Sequence, residues 1–257
     1  MMKPIRIIYR VTGLIALLFV GTYLMGIHAR RPKGESSITQ KQKNSRQWWL
    51  SKVVGIVGLE LEIIGDIPKN EGSALWVANH VSWLDIPVVG SAGVAFLAKA
   101  EIRKWPFIGW LGEKSGTVYI QRGGQNASQV ASSKIAENIN SGDSVLVFPE
   151  GTTTDGSDVR TFHARIFAPA IDHSLRVQPV AIRYLDEEGN SHPNVVWRDE
   201  SFLQNVFKIL GESSIRVELN FLPILEADKY SERKPLANKA QQQIREILKK
   251  DNNHAAR

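Results

Sequence analysis

The 21 residues from Ile7 to Ile27, IIYRVTGLIALLFVGTYLMGI, carry one charge, Arg10. A helix crosses the hydrocarbon of a bilayer with about 20 apolar residues. A stretch like this either attaches to a membrane or leaves a large apolar area in water. Arg10 sits near the start, where a long cationic side chain can snorkel to the interface. The run is long for a secretory signal, and no small-x-small site precedes Ala29-Arg30-Arg31, which argues against cleavage. Lys3, Arg6 and Arg10 stand at the front, whereas Arg30, Arg31, Lys33, Lys41, Lys43 and Arg46 follow. That bias predicts that the downstream chain faces the cytoplasm.

Residues 31–46 are polar and read as a connector. A second short apolar stretch then holds Trp48, Trp49, Leu50, Val53, Val54, Ile56 and Val57. The paired tryptophans beside Arg46 and Lys52 suit the lipid headgroup level, and the same pattern suits an amphipathic helix packed on a domain. Both readings stay open, as does a pair of N-terminal helices dipping into one leaflet instead of a true span. The chain divides into a membrane-anchoring segment, residues 1–57, and a domain, residues 58–257.

From residue 58 strands and helices alternate. Leu59, Leu61 and Ile63 alternate with charged partners and predict a strand. Residues 74–78, 94–97 and 117–121 read as short strands. Asn126 with Gln129 resembles a capping box. Ala127, Ala131, Ile135 and Ile139 fall at helical spacing, and Gly142 stops that helix. Val145 to Phe148 is an uninterrupted apolar run, the pattern of a buried central strand. Residues 163–173 read as a helix, 177–184 and 215–222 as strands, and 235–250 as a closing amphipathic helix. This order predicts an α/β fold with a mixed, mostly parallel sheet covered by helices. Proline at position 179 predicts that its strand lies at a sheet edge or end.

Composition narrows the chemistry. The chain has no cysteine, which excludes a disulfide scaffold, a thiolate nucleophile and Cys-based metal sites. The net charge of +6 fits an anionic membrane surface, an anionic substrate or nucleic acid. Non-catalytic binding, to a membrane surface or to nucleic acid, is the reading from another class. The basic residues are dispersed, however, and their longest cluster adjoins the apolar segment. A nucleic-acid partner would call for Lys and Arg concentrated with aromatics on one face, so no nucleic acid is expected.

Four segments carry residues suited to chemistry. In Asn79-His80-Val81-Ser82-Trp83-Leu84-Asp85 a strand ends before His80, and Pro87 places a helix start near Asp85. A strand-to-helix loop can fold His80 back onto Asp85, leaving one imidazole nitrogen as a base. A loop histidine beside a helix-capping aspartate is the plainer alternative. Phe148-Pro149-Glu150-Gly151-Thr152 follows the buried strand and puts Glu150 at a strand's carboxyl end, where ligands of open α/β sheets gather; it equally suits a turn with a solvated Glu. Gly116-Thr117-Val118-Tyr119-Ile120-Gln121-Arg122 delivers Arg122 to a strand end, where a guanidinium can clamp a phosphate or simply meet solvent. Val177 to Ile182 is an apolar block with a central proline, which plain packing also explains.

In this order the four blocks resemble the membrane-bound glycerolipid acyltransferase family, typified by lysophosphatidic acid acyltransferases. That family shows Asn-His-x4-Asp, matched by Asn79, His80 and Asp85. Its Gly-x-x-Phe-x-x-Arg is matched at Gly116 and Arg122, with Tyr119 for Phe. Its Phe-Pro-Glu-Gly-Thr-Arg-Ser is matched from Phe148 to Thr152, and its proline-centred apolar block by Val177 to Ile182. Lys99-Ala100-Glu101, with Pro106 and Gly109, is similar to the segment between the first two blocks. The similarity covers residues 58–225. Thr153 departs from it, standing where many lysophosphatidic acid enzymes have Arg.

The resemblance implies the glycerolipid acyltransferase fold and transfer of an acyl group from a thioester to the hydroxyl of a lysolipid. The expected acceptor is 1-acyl-sn-glycerol-3-phosphate, giving phosphatidic acid; another lysophospholipid or a lyso-ornithine lipid is the alternative that Thr153 keeps open. His80 and Asp85 would be catalytic. Arg122, Glu150, Gly151, Thr152 and Gly116 would bind the acceptor, and Lys99, Arg103 and Lys104 the phosphates of the donor. Backbone N–H groups at the helix start after His80 are the candidate oxyanion donors. The co-substrate would be acyl-CoA or acyl-acyl-carrier protein, and the partners membrane lipids. No cofactor and no metal are implied.

Overall fold

The computed structural model describes residues 2–28, 38–68, 72–120, 127–197 and 200–249. Arg30, Arg31, Lys33, Arg122 and the cap at Asn126 lie outside them. Helices α1 (Lys3–His28) and α2 (Gln40–Val57) precede strand β1 (Leu59–Ile64). There follow β2 (Leu75–Ala78), α3 (Asp85–Gly90), β3 (Ala95–Lys99), α4 (Ile108–Lys114), β4 (Val118–Ile120), α5 (Ala127–Asn140) and β5 (Val145–Val147). The chain continues through α6 (Ala168–Asp172), β6 (Arg176–Leu185), α7 (Phe202–Leu210), β7 (Ile215–Phe221), β8 (Leu225–Glu226) and α8 (Arg233–Lys249).

The strands form one mixed sheet in the order β1-β7-β6-β2-β5-β3-β4, with β8 also paired to β6. The β6–β7 and β6–β8 ladders are antiparallel and the others parallel. Alternation along β2 shows how each strand serves two layers: Trp76 and Ala78 join the apolar cluster on the α2, α3 side, Leu75 and Val77 the cluster on the α5, α8 side.

The packing revises three sequence-level expectations and chooses between two readings left open. Pro179 is not at an edge, because β6 is an inner strand with Pro179 opposite Val77 of β2. On its other flank β8 pairs up to Val177 and β7 resumes at Val180, so the missing N–H falls where the ladder changes partners. Residues 163–173 are not one helix but a 3₁₀ turn, Ala164–Phe167, followed by α6 with Pro169 in its first turn. Of the two readings of Trp48–Val57, the contacts are those of a helix laid on the domain: Leu50, Val53, Val54 and Val57 are core residues.

Arg10 does not snorkel. It is buried, and its guanidinium donates to the carbonyls of Leu210, Glu212 and Ser213 at 3.2, 2.6 and 3.1 Å. Arg6 donates to Gly211 at 2.8 Å. Carbonyls left over at a helix C-terminus favour such cations. Gly58, at φ +80°, ends α2 beside this guanidinium, and a Cβ there would collide with it. At the other end of α1, His28 Nδ1 meets Ser45 Oγ at 2.7 Å. Between these ties α1 turns Ile8, Tyr9, Phe19 and Tyr23 outward. Its length and hydropathy are those of a helix able to cross a membrane.

Candidate active site

Strand register brings the two principal motifs together. Val77 of β2 pairs with Val147 of β5 in parallel, so His80 and Glu150 leave the sheet at the same end, each three residues on. Asn79 secures the exit. Its side chain accepts from the Ile182 N–H at 2.8 Å and donates to the Ile182 carbonyl at 2.9 Å, continuing the β2–β6 ladder with an amide in place of backbone.

His80 then folds back onto the first residue of α3. Its Nδ1 lies 2.6 Å from Asp85 Oδ2. That oxygen also accepts the N–H groups of Val81 at 2.7 Å and Ser82 at 3.1 Å. Oδ1 accepts the Tyr184 hydroxyl at 2.8 Å. Asp85 is fully buried while the His80 side chain is 22% exposed. With Nδ1–H donating to the carboxylate, Nε2 is the nitrogen left to accept a proton. Phe148 stacks on the imidazole at 4.1 Å and 13°. The ring is thus held by a bond at one nitrogen and by a face, an arrangement that can serve as a general base. The N–H groups of Val81 and Ser82 are committed to Asp85, and those of Asp85 and Ile86 at the start of α3 bond the carbonyls of Ser82 and Trp83, so these four are not free to serve as oxyanion donors.

Glu150 is buried and turned into the protein. One carboxylate oxygen accepts the His80 N–H at 2.8 Å and the other the Arg160 N–H at 2.7 Å. Burial pushes its carboxyl above the ordinary value, and the two amide bonds pull the other way. In this geometry it ties the His80 loop to the loop after β5. Thr154 adds a second tie, its N–H donating to the His80 carbonyl at 2.7 Å. Gly151, at φ +71°, makes the turn between them, and Gly151 and Thr152 are exposed. Beyond it a cleft of about 410 Å³ is lined by Thr153, Thr154, Asp155, Asp158, Arg160 and Trp197, among others.

The other sequence-level site residues are scattered. Gly116 is not brought to His80. It precedes β4, which runs parallel to β3, and so lies at the opposite end of the sheet. There, at φ +87°, it makes a turn against Ile38. Lys99 is exposed at the carboxyl end of β3, and Arg103 and Lys104 sit on the following 3₁₀ turn. Arg103 pairs with Glu113 at 2.9 Å.

Tyr184 is the residue that motif reading missed. It lies 99 positions from Asp85, and an apolar strand with one tyrosine carries no sign of the contact. Burial, together with the charge of Asp85, holds its hydroxyl well above the usual range, so it remains a donor. Tyr184→Phe would leave Asp85 Oδ1 without its donor. As a positioning effect, turnover is expected to fall about tenfold to a hundredfold, and the acid limb of the kcat–pH profile to move upward, because Asp85 would then hold the imidazolium more strongly. An unchanged profile in the folded variant would reduce Tyr184 to packing.

Known proteins resemble this chain in sequence and in architecture. The family described as "Acyltransferase" matches residues 59–183. A lyso-ornithine lipid O-acyltransferase of Pseudomonas aeruginosa is 35% identical over 249 residues, covering 96% of this chain and 95% of that one. A 1-acyl-sn-glycerol-3-phosphate acyltransferase of Neisseria meningitidis is 30% identical over 77% of this chain and 78% of its own. In fold, the crystal structure of the 1-acyl-sn-glycerophosphate acyltransferase PlsC from Thermotoga maritima superposes with a TM-score of 0.74 at 18% identity, covering 99% of this chain and 97% of that one. With the sheet, the His80–Asp85 motif and these relatives together, the chain belongs to the acyltransferase family that includes the lyso-ornithine lipid and 1-acyl-sn-glycerol-3-phosphate acyltransferases.

Proposed function

We propose that the protein is a lyso-ornithine lipid O-acyltransferase. The observation that carries the chemistry is the His80–Asp85 pair, bonded at Nδ1 with Nε2 left to take a proton. His80 Nε2 removes the proton of the acceptor hydroxyl as its oxygen attacks the thioester carbonyl. Asp85 stabilises the imidazolium. When the tetrahedral intermediate collapses, the C–S bond breaks and the imidazolium proton leaves with the thiol. The lipid hydroxyl stands where a serine would in a hydrolase triad, so the enzyme needs no nucleophile of its own. Acyl-CoA or acyl-acyl-carrier protein is the donor, with Lys99, Arg103 and Lys104 as contacts for its phosphates. The catalytic domain sits at the cytoplasmic face of the membrane; because both ends of α1 are tied to the domain, α1 lies in one leaflet instead of crossing the bilayer.

Two things favour an ornithine headgroup. The relative that aligns along almost the whole chain acts on lyso-ornithine lipid by its name. The cleft beside the His80 loop carries Asp155 and Arg160, a mixture of signs that suits a headgroup bearing both a carboxylate and an ammonium, while its Asp158 is held by Arg245 and Lys249 at 2.7 and 3.1 Å. A phosphate dianion would find Thr153 where an Arg clamp stands in many of its enzymes. The second reading, 1-acyl-sn-glycerol-3-phosphate, is favoured by the Gly116-to-Arg122 block and by the Neisseria relative; on either reading Arg122 binds the acceptor's acidic group. Purified enzyme with matched lysolipids decides between them. Lyso-ornithine lipid is expected to exceed lysophosphatidic acid at least tenfold in kcat/KM, about 1.4 kcal/mol of transition-state binding. A tenfold preference the other way would establish the second reading.

A further inference from the structure

Helix α7 leaves an apolar ridge that the domain does not use. It opens with a reciprocal cap between Ser201 and Gln204. Asn205, Ile209 and Leu210 are buried, whereas Leu203 is 65% and Phe207 48% exposed. Positions four apart share a helix face, so Leu203 and Phe207 stand together. The location of this ridge points to its occupant. Arg6 and Arg10 of α1 hold the carbonyls at the end of α7, which docks the two helices. Near that contact α1 turns Ile5, Ile8 and Tyr9 outward. The helix that carries the ridge therefore packs against a helix fit for a membrane.

At its other end α7 reaches the catalytic loop. Phe202 packs edge-on against Trp83 at 6.2 Å and 71°, and against Trp197 at 5.6 Å. Trp83 lies between His80 and Asp85.

We propose that α7 is a second membrane contact, with Leu203 and Phe207 entering the lipid surface, and that the Phe202–Trp83 contact sets the depth of the His80 loop beneath it. A one-chain lipid then reaches Nε2 by sliding past Phe202 without crossing water. The proposal rests on α1 being membrane-attached and the acceptor being a lipid.

The native chain has no cysteine, so Leu203→Cys, Phe207→Cys, Phe19→Cys and Gln242→Cys each create one labelling site in the full-length protein. Each variant carries an environment-sensitive fluorophore and is mixed with phosphatidylethanolamine–phosphatidylglycerol vesicles, with or without an acyl-chain nitroxide quencher. Blue-shifted, quenchable emission is expected at 203, 207 and 19, and solvent-like emission at 242 on α8. Solvent-like emission at 203 and 207 with quenching at 19 would overturn the role of α7 and leave the attachment of α1 standing. Solvent-like emission at all four sites would remove both. Blue-shifted emission at 203 and 207 that the acyl-chain nitroxide does not quench would assign the ridge to protein–protein contact and overturn the proposal. In kinetics, Leu203→Ser with Phe207→Ser is expected to lower kcat/KM about tenfold for acceptor embedded in vesicles, and to leave it unchanged for a short-chain acceptor in monomeric solution. Equal losses on both substrates would count against it.

Discussion

His80→Ala is expected to lower acyl transfer by about 10²- to 10⁴-fold, the range a positioned general base contributes. The fold should survive, because among the described residues the His80 side chain donates only to Asp85, and it is 22% exposed. Asp85 keeps its bonds from Val81, Ser82 and Tyr184, so the loop retains its shape without the ring. Asp85→Asn is a less clean probe. Whichever way it turns, the amide cannot accept from His80, Val81, Ser82 and Tyr184 as the carboxylate does, and loop and imidazole are lost together. The deciding measurements are kcat and the urea midpoint of His80→Ala. A folded variant that keeps more than about a tenth of the wild-type rate would remove His80 from the chemistry.

The largest expected loss of stability comes from a residue far from the chemistry. Arg46 on α2 is buried and forms a two-pronged pair with Asp143, at 2.7 and 3.0 Å, with both side chains under 5% exposed. It also donates to the carbonyls of Ser115 at 2.7 Å and Gly93 at 3.2 Å. One guanidinium thereby joins α2, the end of α4, the turn before β3 and the turn before β5. Arg46→Met removes the cation and leaves a buried carboxylate unpaired, which costs about 3–5 kcal/mol. Arg46→Met with Asp143→Leu removes both charges and is expected to recover most of that loss, because apolar groups of similar size often replace a buried pair at little cost. Denaturant unfolding in detergent of wild type and both variants checks this. A single-variant loss under about 1 kcal/mol, the value of a surface pair, would show that water reaches Asp143.

What was legible from the residues is what local chemistry determines. Asn79 to Asp85 is short enough that a strand end and the helix start set by Pro87 leave His80 one nearby carboxylate. Val145 to Phe148 can only be a central strand, because an uninterrupted apolar run has no solvent face. The period of residues 127–139 yields α5 without knowledge of its partners. Helix α7 was within reach by the same logic, since Ser201 and Gln204 bracket the start of an apolar helical stretch. Long-range partners were not legible, because the order and direction of strands choose them and neither leaves a periodic trace. Tyr184 meets Asp85 because β6 lies beside β2. Gly116 falls at the wrong end of the sheet because β4 starts there. Pro179 is tolerated inside the sheet because its flank changes partner at that residue. Arg10 and Arg46 look like membrane-flanking cations in the sequence. The tertiary structure buries both, because leftover helix carbonyls and a buried carboxylate offer a guanidinium more bonds than the lipid interface would.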